Sequence, residues 1–95
     1  MTDEELTRLA AERVLGELGK DDDWRPLLYM EDAWMLVIAL LARGWHFVLV
    51  CSTEDYARAR FERMDGDQLI VRVAEEDDPL RAIVIAALRA VGEEV

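Results

Sequence analysis

The chain has 95 residues, a formal net charge of −10 and 53% hydrophobic residues. This fits one domain with a core of its own and excludes disorder over most of the length. Such acidity repels a phosphate backbone and an anionic membrane surface, so general nucleic-acid binding and membrane binding are not expected.

A lone cysteine, Cys51, can form neither an internal disulfide nor a cysteine-based zinc site. Met1 is followed by Thr2, Asp3, Glu4 and Glu5, which is not the opening of a signal peptide. The longest apolar run, Ala33 to Ala42, falls short of the roughly 20 residues a membrane span needs. These features together predict a cytoplasmic protein.

The first helix is expected over Asp3 to Leu18. Thr2 and Glu5 form a capping box at its start, and the acids of the first turn suit the helix dipole. Leu6, Leu9, Ala10, Val14 and Leu18 make the apolar stripe, interrupted by Arg13. Gly19 is the expected stop. Lys20 to Tyr29 reads as a loop, since Pro26 and the run Asp21-Asp22-Asp23 oppose helix. Its Trp24, Leu27, Leu28 and Tyr29 are expected to fold back onto the domain.

A second helix is predicted over Glu31 to Arg43, ended by Gly44. Its middle has no polar stripe, so cover on more than one side is expected. The segment Trp45 to Ser52 is apolar on both faces and reads as a central or doubly covered strand. A hairpin follows, Tyr56 to Arg63 and Asp67 to Ala74, joined by a three-residue loop Met64-Asp65-Gly66. That register pairs Phe61 with Leu69, Ala59 with Val71 and Ala57 with Val73 on one buried face. The last helix is predicted over Pro79 to Val91, capped by Asp78, with Leu80, Ile83, Val84, Ala87, Leu88 and Val91 as its core stripe.

The order is therefore ααβββα, an α+β domain with a three-stranded antiparallel sheet and helices packed around it. The pattern of core positions resembles the phage ABA sandwich family of small phage and prophage proteins. Tyr29 and Ala33-Trp34 opening an apolar helix, Gly44 closing it, and Pro79-Leu80-Arg81-Ala82-Ile83 followed by Ala86-Ala87-Leu88 carry the likeness. It covers about Ala10 to Val91. It implies a helix-sheet-helix sandwich, phage origin and so the host cytoplasm as the place of action. It assigns no catalytic residues. The Asp21-Asp22-Asp23 loop and the arginine-rich second strand depart from the pattern. Small phage proteins without enzymatic motifs often counter host defence, an analogy of fold and context.

No motif for a common enzyme class is present. His46 and Cys51 are placed on opposite faces of one strand, and Ser52 lies about 20 Å from His46 along it. The run Asp21-Asp22-Asp23 lacks the ligand spacing of a calcium loop, and Glu75 to Asp78 reads as a charge run at a helix start. No enzyme activity, metal or cofactor is therefore expected.

The candidate ligand site is a cluster of arginines. In the expected register Arg58 and Arg60 share the face away from Phe61, and Arg72 lies opposite Arg58. Like charges directly across a strand pair are destabilising and need compensation. Local acids can supply it: Glu62, Glu54, Asp55 or the run Glu75 to Asp78. The alternative is an anion held by the guanidinium groups, with Tyr56, Trp24 and Tyr29 as further ligand contacts. Two functions follow. One is sequestration of a small anionic, nucleotide-like host defence signal. The other is an acidic inhibitor or adaptor that docks a host protein. Both predict a homo-oligomer, because the helices carry more apolar surface than a monomer of this size hides.

Overall fold

The structure, a computed structural model, describes residues 1–16, 23–52 and 55–95. Helix α1 spans Asp3–Ala10 and continues as one π-helical turn, Ala11–Leu15. Helix α2 spans Met30–Leu41 and α3 spans Pro79–Ala90. Strands β1 (His46–Cys51), β2 (Ala57–Asp65) and β3 (Gln68–Glu76) form one antiparallel sheet in the order β1-β2-β3. The α+β class and the order ααβββα are as the sequence predicts.

The helix starts follow local chemistry. The Thr2 hydroxyl accepts from the Glu5 N–H at 3.2 Å and donates to the Glu5 carboxylate at 3.1 Å. Asp78 Oδ1 accepts from the Leu80 N–H at 3.0 Å, with Pro79 beside it. The first helix ends earlier than expected, because Gly16 already takes a positive φ of 60°. The widened turn before it brings both Val14 and Leu15 into the core. Arg13 turns out to meet Glu93 at 2.9 Å. Leu18, Gly19, Asp21 and Asp22 lie outside the described residues.

The hairpin register differs from the expected one. Asp65 pairs with Gln68, leaving a two-residue loop, Gly66-Asp67. Gly66 alone of the two has positive φ, 63°, the pattern of a II′ turn that suits the twist of adjoining strands. Phe61 therefore sits opposite Arg72, Ala59 opposite Ala74, and Arg58 opposite Glu75. The pairing is displaced by three residues, an odd number, so the faces of β3 are exchanged. Ala74 and Ile70 turn inward, and Leu69, Val71 and Val73 turn outward.

The exchange has a cause in side-chain size. Ala57, Ala59 and Ala74 make a shallow floor, and α3 brings Ala82, Ala86 and Ala87; all six are buried. Small residues on both sides let helix and sheet approach closely. Leucine and valine in the place of Ala74 and its neighbours would hold them apart.

The expected roles of α2 and α3 are also reversed. Helix α3 is the central element, packed against β2 and β3 on one side and against α1 and α2 on the other. Ala82 to Leu88 are buried without a break. Helix α2 lies outside it and keeps one flank bare. Strand β1 is an edge strand, not a central or doubly covered one. Among the described residues no helix covers the outer face of the sheet. Val48, Val50, Met64 and Leu69 on that face are 47% to 61% exposed. The helices lie on one side only, so the layers run sheet, α3, then α1 with α2.

Candidate functional site

The register places the residues of all three strands on the open sheet face. His46, Val48 and Val50 stand opposite Glu62, Arg60 and Arg58 of β2. Those three stand opposite Val71, Val73 and Glu75 of β3. A charged spine on the central strand is thus flanked by an apolar column on each side. Met64 and Leu69, a cross-strand pair, close one end of the face.

The spine is largely satisfied internally. Arg60 Nη2 meets Glu62 at 2.7 Å, and Arg58 Nε lies 3.7 Å from Glu75. Glu62 and the Glu75 run were the compensating acids expected from the sequence. Arg60 Nε is buried and has no partner. Its aliphatic stem, set between Val48 and Val73, covers apolar surface while its head stays hydrated.

Only two of the six candidate residues come together as expected. Arg58 and Arg60 share the open face. Arg72 belongs to the opposite face, across from Phe61, and its Nη1 donates to its neighbour's carbonyl, Val71 O, at 2.8 Å. Tyr56 is exposed just before β2. Trp24 is buried, and its Nε1 donates to the Asp32 carbonyl at 2.9 Å. Tyr29 is exposed at the start of α2. Leu28 beside it is exposed too, so only part of that loop folds back. A three-arginine grip completed by these aromatics is not formed.

Trp24 instead lines a separate groove of about 550 Å³ between α1 and the segment 24–28. Ala11, Leu27 and Leu28 line it with Thr7, the acids Asp3, Glu4 and Glu12, and the arginines Arg8 and Arg25. Its size suits a small molecule.

Three features escaped the sequence reading. The first is a stripe on α2: Met30, Trp34, Ile38 and Leu41 are 42% to 54% exposed. They recur at helical spacing; the sequence predicts excess apolar surface on the helices, and the structure gathers part of it on this flank of α2. The Trp34 ring meets Phe47 of β1 edge-on at 5.8 Å, which joins this stripe to the edge strand. The second is the outward apolar side of β3. The third is Arg89, whose Nη1 donates to Val73 O at 2.7 Å while Nε and Nη2 hold Val95 O.

His46 and Cys51 do lie on opposite faces of β1, as their pairing with Glu62 and Ala57 requires. Among the described residues no group of three or more His, Cys, Asp or Glu could hold a metal ion. No helix among them is long and apolar enough to cross a membrane. Comparison with protein-family models, curated proteins and solved structures finds no match to this chain.

Proposed function

We propose that this chain is a non-catalytic interaction module of the cytoplasm that pairs with itself and docks a second protein on its open sheet face. The observation that carries this reading is the outward side of β3. Leu69 is exposed and Val71 and Val73 are half-buried on this open side, while the smaller Ala74 is buried on the other. Exposed apolar patches of this extent mark interaction surfaces. The charged spine between the columns supplies orientation without a free binding charge. Taken with the resemblance to phage proteins, the partner is a host protein and the activity is inhibition or adaptation.

The test is affinity capture from host extract with the wild type and with a Leu69→Lys, Val71→Lys variant. A partner held by the wild type and lost by the folded variant supports the reading. A partner retained by the variant, or none at all, contradicts it.

Sequestration of a small anion is the second reading, and the unpartnered Arg60 Nε favours it. A panel of cyclic and linear nucleotides tested by thermal shift separates the two, since a ligand specific to the folded state raises its stability. A shift abolished by Arg58→Ala with Arg60→Ala would replace the protein-docking reading with this one.

A further inference from the structure

The two edges of the sheet are not equivalent. In the Gly66-Asp67 hairpin, Asp65 and Gln68 form the hydrogen-bonded pair next to the turn. Counting along β3 by twos, the backbone groups of Val71 and Val73 point away from β2. Their carbonyls are the ones taken by Arg72 and Arg89. Charged side chains thus occupy the outer edge of β3, a common protection against unwanted strand pairing.

Counting the same way across β2, the backbone groups of Phe47, Leu49 and Cys51 point outward from β1. No described residue hydrogen-bonds to them. The strand reads His-Phe-Val-Leu-Val-Cys, with no proline, lysine or acid to discourage pairing. Beside this bare edge runs the exposed stripe of α2, joined to it through Trp34 and Phe47. Edge and stripe form one continuous apolar surface on an otherwise acidic molecule.

From this asymmetry we infer that β1 pairs antiparallel with β1 of a second copy, making one six-stranded sheet with the two α2 stripes packed across the junction. This rests on the self-pairing proposed above and names its geometry. An antiparallel edge contact is compatible with a two-fold axis, so the same patch serves both copies. Centring the axis at Leu49 gives the greatest overlap. Leu49 then faces Leu49 of the second copy and Phe47 faces Cys51, with about six new backbone hydrogen bonds. Met30, Trp34, Ile38 and Leu41 together expose on the order of 350 Å² per copy, a good part of the roughly 800 Å² per partner in a standard interface. The strand backbone supplies more. The two outer sheet faces become one platform, which doubles the docking surface. Because two copies of charge −10 repel at long range, added salt strengthens the pairing.

Sedimentation of the full chain tests the state, and an engineered cross-link tests the geometry. Wild type is expected as a dimer, twice the 10.9 kDa chain, at roughly 100 μM. Ile38→Lys, on the exposed stripe, is expected to weaken it at least about tenfold. Leu49→Pro removes an outward N–H, together with a side chain packed against the core, and in a variant shown to be folded is expected to do the same. In a Cys51→Ser background, Leu49→Cys is expected to cross-link the dimer under mild oxidation, since facing Cα atoms of such a pair lie about 5.5 Å apart. A wild-type monomer at every concentration overturns both the self-pairing and its geometry. A dimer indifferent to Ile38→Lys that never cross-links through position 49 overturns the β1 junction alone.

Discussion

Neighbouring residues Val73 and Ala74 give the sharpest test of the face assignment. The expected register buried Val73, whereas the structure buries Ala74 to 1% exposure between β2 and α3. Replacing Ala74 by Leu forces a branched side chain into a floor made of alanines. The added carbons have no void to enter, and overpacking of this kind costs about 1–3 kcal/mol. Val73→Thr keeps the shape of a side chain on the open face and is expected to cost less than about 1 kcal/mol. Total stability for a domain of this size is roughly 5–14 kcal/mol, so the first change is a large fraction of it. In urea titrations, a loss of about 2 kcal/mol at a slope near 1.5 kcal/mol/M lowers the midpoint by more than 1 M. The Val73→Thr midpoint should move by about 0.7 M at most. A larger loss in Val73→Thr than in Ala74→Leu would refute the register.

Three further outcomes follow from packing, capping and edge protection. Phe61 is fully buried with its ring centroid 4.8 Å from that of Phe47; Phe61→Ala should cost about 3–5 kcal/mol, and a double-mutant cycle with Phe47→Ala should return a coupling of roughly 0.5–1.5 kcal/mol. Asp78→Ala removes the cap on the Leu80 N–H and should lower stability by about 1 kcal/mol in the same titration. Arg89→Ala strips the guard from the β3 edge, and light scattering should then detect species larger than a dimer as both edges become available.

Local chemistry was the most legible part of the sequence. Thr2, Asp78-Pro79 and Gly44 marked helix ends because capping depends on neighbours only. The strands were recognisable from their β-branched and aromatic content. What failed was the inference that the most apolar side of a strand must face the core. On β3 the inward positions go to Ala74 and Ile70, and the valines are left outside. Alternation cannot distinguish a core from an interaction surface, since both are apolar. The same ambiguity exchanged the roles of α2 and α3. An apolar stripe on α2 read as covered, and the alanine-rich α3 read as amphipathic although small residues were what allowed it the middle position.

The arginine site shows the same limit from another side. Arg58 and Arg60 were correctly placed on one face, because residues two apart in a strand always share one. Arg72 was placed with them only through the assumed loop. The turn is one residue shorter and lies further along the chain, at Gly66-Asp67, so Glu75 takes the place opposite Arg58. The acids that satisfy the spine were visible in the sequence; the particular pairs depend on the register.

Residue-resolved amide exchange at two protein concentrations tests most directly the claim that β1 is the interaction edge. The N–H groups of Phe47, Leu49 and Cys51 should be protected at high concentration and exchange rapidly on dilution, while those of Val71 and Val73 exchange rapidly at both. Rapid exchange at Phe47, Leu49 and Cys51 under all conditions, or concentration-dependent protection along β3 instead, would contradict the account.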